Sequence, residues 1–135
     1  MKNPTNLSEL KTNKEIIMIA DGTGIAPFLG MMNDDRKEHK KAYLFWGGKT
    51  KASYQMYANQ IDKAFFKKNL SGLYLTFSKE ENQKKHVQDA LKEKEDLITR
   101  VLKSNGSVLI SGTQEMQDGV LNTLKKISIR KLKTP

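Results

Sequence analysis

The chain has 135 residues, 37% of them hydrophobic, with nine glycines and three prolines, the size and composition of one globular domain and not of a disordered or fibrous chain. It contains no cysteine, which excludes disulfide frameworks, thiolate zinc sites and cysteine nucleophiles and fits a reducing compartment; His39 and His86, its two histidines, cannot make a transition-metal site without carboxylates. A net charge of +9 calls for an anionic ligand or an acidic partner.

Residues 1–14 are polar and hold no apolar stretch of the kind a secretory signal needs. No run approaches the ~20 apolar residues of a membrane span. A cytoplasmic domain over residues 15–135 is therefore expected, with 1–14 as the remnant of an interdomain connection. Four short apolar runs follow, at 15–20, 42–46, 73–77 and 107–111, each of strand length and rich in Ile, Leu, Val or aromatics. Between them the spacing predicts helices over 27–38, over 53–68 with Met56, Tyr57, Ile61, Ala64 and Phe65 on one face, and over 86–103 with Val87, Ala90, Leu91, Leu97, Ile98 and Val101. A fourth helix starts at Glu115, carrying Met116, Val120, Leu124 and Ile127. Strict alternation of strand and helix predicts an α/β fold whose parallel sheet is covered on both faces. Lys125, Lys126, Arg130, Lys131 and Lys133 close the chain with no acid among them, a solvated basic end or a surface for an acidic partner. Nothing in the pattern calls for nucleic acid.

In such sheets ligands bind beyond the carboxyl ends of the strands, so the loops beginning at Asp21, Gly47, Ser78 and Gly112 are where chemistry is expected. After the first strand, Asp21-Gly22-Thr23-Gly24-Ile25-Ala26-Pro27-Phe28 is a glycine-rich turn running into a helix with proline near its start. Gly22 and Gly24 allow close backbone approach to a pyrophosphate, and a helix N-terminus offers unpaired amides; packing alone also produces such turns. After the second strand comes Trp46-Gly47-Gly48-Lys49-Thr50-Lys51, without the acid that holds ribose hydroxyls in NAD or methyltransferase sites. Gly48-Lys49-Thr50 matches the end of a P-loop, but position 43, where that motif needs glycine, is Tyr43. The third loop supplies Ser78, Lys79, Lys84 and Lys85, donors and cations suited to a ribose 2′-phosphate or, read plainly, a solvated basic loop.

Taken in order over residues 15–127, these loops resemble the NADPH-binding domain of the ferredoxin-NADP reductase superfamily, in particular diflavin reductases related to cytochrome P450 reductase and the sulfite reductase flavoprotein. Gly22 to Phe28 is similar to the pyrophosphate and nicotinamide loop, Leu44-Phe45-Trp46-Gly47-Gly48-Lys49 to the second-strand motif, and Phe77-Ser78-Lys79-Glu80 with Lys84, His86, Val87 and Gln88 to the 2′-phosphate segment. Ser111-Gly112 with Met116 resembles the motif beside the nicotinamide. The resemblance implies a Rossmann-like three-layer αβα domain with four to five parallel strands. It also implies cofactor contacts from Gly22, Thr23, Gly24, Ile25, Pro27, Gly47, Lys49, Ser78, Lys79, Lys84, His86, Gln88, Gly112 and Met116, with Ser111 beside the reacting ring. NADPH is the cofactor so implied, FAD belongs to a separate domain absent here, and FMN lies further along the electron path. An acidic electron-transfer protein is the partner to expect.

The pattern departs from the family at several places. Ser111 stands where many relatives have cysteine, Thr113 near a usual aspartate, and His86 where tyrosine is usual; the loop to Met116 is one residue shorter. The chain ends at Pro135 before the family's final strand and terminal aromatic, so a truncated domain is expected. Two other readings stay open: an S-adenosylmethionine-type methyltransferase fold, suggested by Asp21-Gly22-Thr23-Gly24, and a non-catalytic docking module using the basic tail.

Overall fold

A computed structural model of the chain describes residues 15–34, 41–80 and 85–132, with the side chains of 129–132 left aside. Four strands, β1 (Glu15–Asp21), β2 (Lys41–Gly48), β3 (Gly72–Phe77) and β4 (Ser107–Ser111), form one sheet in the order β3-β2-β1-β4. Every pairing is parallel. β1 is central because its Ile-Ile-Met-Ile-Ala run is apolar on both faces: all of Ile16 to Ala20 are buried, as a strand covered from both sides must be.

Alternation along the strands divides the core in two. Ile16, Met18 and Ala20, with Leu44 and Trp46, face α1 (Ala26–Met32) and α2 (Lys51–Phe66). Ile17 and Ile19, with Phe45, Val108 and Ile110, face α3 (Val87–Glu93), α4 (Glu95–Lys103) and α5 (Gln114–Leu132). The result is the expected three-layer αβα arrangement, with four strands among the described residues.

Three helices differ from their expected extents. The helix expected over 27–38 is α1, Ala26–Met32, capped at Asn33, whose N–H bonds the carbonyls of Leu29 and Met31; positions 35–38 of that expectation lie outside the described residues. The stretch expected as one helix over 86–103 breaks at Lys94, whose N–H is shared between the carbonyls of Ala90 and Leu91; α4 then restarts with Glu95 and Asp96 in its first turn, where acids suit the helix dipole. No Gly or Pro marks that junction. α2 begins two residues earlier than its apolar periodicity indicates, because the Thr50 side chain accepts from Ser53 N and Ser53 Oγ from Thr50 N, a capping box. The Thr50 that makes Gly48-Lys49-Thr50 look like a P-loop is a helix cap.

The winding of the sheet reverses at β1: β2 and β3 lie on one side of it and β4 on the other. The crevice above that switch point is where an open parallel sheet offers its ligand site. At the opposite end of the sheet, Arg100 Nη1 on α4 donates to both carboxylate oxygens of the buried Glu15, at 2.9 and 2.7 Å, and Nη2 donates to Tyr43 Oη at 3.1 Å. This fork ties α4 to the starts of β1 and β2, away from the crevice.

Candidate functional site

A cleft of about 700 Å³ opens at the carboxyl ends of the strands, within the range of cofactor sites. Its floor is the turn after β1. Gly22 has φ +55 with open space around a would-be Cβ, so glycine is needed there for the backbone angle and not for room. Residues Gly22–Ile25 form a single 3-10 turn, and α1 continues from it with Pro27 in the first turn, where a missing N–H costs nothing.

Trp46, the chain's only tryptophan, joins this turn to β2. Fully buried, it donates Nε1–H to the Gly22 carbonyl at 2.9 Å, and Tyr54, Tyr57 and Phe77 pack around its indole with centroids 5.8–6.3 Å away. Gly48 is glycine because a Cβ there would lie 2.1 Å from the indole ring.

The remaining walls come from the other three loops. Gly47, Gly48 and Lys49 follow β2, and Ser53, Met56 and Tyr57 rise from the first turns of α2; Met56 is 73% exposed, an apolar side chain left at the cleft mouth. After β3, Ser78 N donates to Gly48 O and Lys79 N to Lys49 O, extending the ladder past the strand. The loop then returns, with Lys85 N donating to Phe77 O at 3.0 Å, so that Ser78 and Lys85 both face the cleft. Lys85 Nζ also reaches Glu93 at 3.3 Å, but both side chains are about half exposed and such a pair is weak. His86, Val87 and Gln88 at the start of α3, and Thr113, Glu115 and Met116 around the start of α5, add to the lining, and Asp21 and the Trp46 indole border it from below.

Of the expected cofactor contacts, the structure brings Gly22, Thr23, Gly47, Lys49, Ser78, His86, Gln88 and Met116 to one cleft. Gly24, Ile25, Pro27, Lys79, Ser111 and Gly112 do not line it, and Lys84 lies outside the described residues. Gly24 is constrained from within: a Cβ there would sit 2.5 Å from the Ser111 carbonyl and 3.1 Å from Gly112 N, so its small size lets the β1 turn pack against the β4 loop. Ile25 is fully buried beneath α1. Ser111 pairs with Ala20 across the parallel ladder, and strand alternation puts it on the α1 side of the sheet, while Ile110 and Met116 belong to the other side.

Sequence reasoning missed several lining groups. Asp21 appears only as the residue before the glycines, yet its carboxylate faces the cleft; crowding by the walls pushes its pKa above the ordinary aspartate value of 3.8, with the charge of His86 pulling the other way. Outside the lining, Glu80 accepts from Lys51 N at 2.7 Å and so ties the loop after β3 to the start of α2. No spacing rule links positions 51 and 80; the contact comes from β2 and β3 being neighbours. No cluster of three or more metal-ligating side chains occurs among the described residues, and none of their helices is long and apolar enough to cross a membrane.

The arrangement suits a long, phosphate-bearing ligand. The turn after β1 offers amides, Lys49, Lys85 and His86 offer cations or donors along one wall, and Met56 and Tyr57 offer an apolar surface. The sequence profile of the oxidoreductase NAD-binding domain matches residues 18–122. Similar curated proteins include the NADPH-dependent diflavin oxidoreductase 1 of Yarrowia lipolytica, 32% identical over 80% of this chain and 15% of that protein. An NADPH–cytochrome P450 reductase of Salmo trutta is 32% identical over 76% of the chain and 18% of its own length, and a nitric oxide synthase of Anopheles stephensi is 33% identical over 84% and 10%. The chain thus spans less than a fifth of these relatives.

Proposed function

The chain belongs to the oxidoreductase NAD-binding domain family, and on that premise we propose that it binds NADPH across the strand ends and presents the nicotinamide to an FAD carried by a separate domain. The observation that carries the proposal is the meeting of the Gly22–Thr23 turn, Lys49, Ser78 and Lys85 in one cleft, together with relatives that are NADPH-dependent diflavin and cytochrome P450 reductases. When bound, the dinucleotide supplies a hydride donor, chemistry that belongs to the cofactor.

This chain's own residues bind and orient. The turn after β1 offers amides to the pyrophosphate, as glycine-rich strand-to-helix turns do. Ser78 and Lys85 hold the 2′-phosphate, which outcompetes Glu93 for Lys85 because an exposed ion pair contributes little. Met56 and Tyr57 give an apolar resting surface, and His86 and Gln88 supply side-chain donors at the start of α3. Thr113, Glu115 and Met116 border the nicotinamide end, with Ser111 behind them in the β4 loop. No residue acts as acid or base; the contribution is placement. In the same reading residues 1–14 connect to the FAD domain, the whole protein is cytoplasmic with FMN later in its electron path, and an acidic protein docks the basic end of α5, where Lys125 and Lys126 are exposed.

The S-adenosylmethionine reading loses ground because Ser78 and Lys85 place phosphate-binding groups where a methyl donor has none. Titration of wild type and Lys85→Glu with NADPH, NADH and S-adenosylmethionine tests the proposal. NADPH binding by the wild type, weakened by Lys85→Glu with little change for NADH, is the expected result; binding of S-adenosylmethionine in place of NADPH overturns it.

A further inference from the structure

We infer that Trp46 is a positioning residue for the dinucleotide, its indole N–H locking the Gly22–Thr23 peptide in the one orientation that aims the Thr23 amide into the cleft. The inference rests on the dinucleotide reading above and deepens it.

In a planar trans peptide the carbonyl and the following N–H point in opposite directions. The Gly22 carbonyl is drawn to Trp46 Nε1 at 2.9 Å, on the α1–α2 side of the sheet where the indole is buried. The Thr23 N–H of the same peptide therefore points away from Trp46. Thr23 is the second residue of the 3-10 turn Gly22–Ile25, so its amide has no acceptor inside the turn. It is free to meet an anion in the cleft that Thr23 lines.

A lock is needed because of the glycine itself. Gly22 at φ +55 has nothing within 4 Å of a would-be Cβ, and an uncrowded glycine accepts both orientations of its peptide at similar cost. A flipped peptide turns the Gly22 carbonyl toward the cleft, where it repels phosphate. Trp46 opposes that flip with a donor that is itself immobile: the indole is fully buried, Tyr54, Tyr57 and Phe77 surround it, and the Gly48 backbone lies across its edge. β2 thereby sets the amide geometry of the turn after β1, although 24 residues separate Gly22 from Trp46.

Trp46→Phe keeps an aromatic ring and removes the N–H. Tyr54→Leu keeps the N–H and loosens the packing around it; Tyr54 does not line the cleft. The test measures NADP+ affinity by calorimetry and thermal stability for wild type and both variants of the 135-residue chain, with the single indole N–H resonance followed by NMR. The expected result is about tenfold weaker NADP+ binding in Trp46→Phe, the effect of one hydrogen bond, against less than a twofold change in Tyr54→Leu even where its melting temperature falls further. In the wild type the indole N–H resonance should exchange slowly with solvent and shift on NADP+ addition. Wild-type affinity in a folded Trp46→Phe overturns the inference alone, and so do affinity losses that track melting temperature in both variants. Failure of wild type to bind NADP+ overturns the dinucleotide reading and this inference with it.

Discussion

Two glycines one residue apart are needed for different reasons. Gly22 answers a backbone angle and Gly24 answers crowding by the Ser111 carbonyl. Gly22→Ala should cost about 1–2 kcal/mol, the penalty of a side chain in the left-handed region. Gly24→Ala forces backbone against backbone, and thermal melts should show it destabilised by about 1–3 kcal/mol, through β4 and with no ligand present. Asp21 supplies a second residue-scale test. Its carboxyl pKa lies above 3.8 in the folded chain, so the folded state binds more protons than the unfolded one between the two values. The contribution is fully present below the unfolded pKa and is lost as pH rises through the folded one. Asp21→Asn removes that loss, so urea unfolding should find the variant more stable than wild type at neutral pH and the gain gone near about pH 3. The sequence shows the glycines and the lysines of the third loop, because their residue types announce turns and charge. It hides the part Asp21 takes in the lining and the bond from Trp46 to Gly22, since both depend on which strands are neighbours.

At the scale of elements, the strands were the most legible part of the sequence. All four appear within two residues of the apolar runs that signal them, because a strand buried on both faces leaves a continuous hydrophobic signature. Helix ends were less so: the start of α2 is set by the Thr50–Ser53 cap and the break between α3 and α4 by a shared hydrogen bond at Lys94, neither of which alters the apolar periodicity. α4 is anchored by a contact that hydrophobic spacing also misses, the Arg100 fork on Glu15 and Tyr43. Glu15 is buried while the Arg100 side chain is 51% exposed, so solvent screens part of the attraction. Removing the guanidinium nevertheless strands a buried carboxylate. Arg100→Ala should cost roughly 1–3 kcal/mol in urea unfolding, below the full penalty for a wholly buried pair, and should leave nucleotide affinity unchanged because the fork lies at the far end of the sheet.

For the whole molecule, the sheet order β3-β2-β1-β4 places four sequence-distant loops around one cleft, and the division of labour follows. Strands fix where the loops begin; in the proposed reading Trp46 fixes how the first turn is presented and the charge of Lys49 and Lys85 selects an anionic ligand. Salt should weaken that selection, since both lysines reach solvent. In the proposed reading this cleft holds NADPH by recognising its 2′-phosphate, and calorimetric titration of the wild-type chain with NADPH and NADH at low ionic strength tests that recognition. Two charge-assisted contacts of roughly 1.5 kcal/mol each, from Ser78 and Lys85, predict an NADPH preference on the order of 100-fold; equal affinities for the two nucleotides would contradict the account.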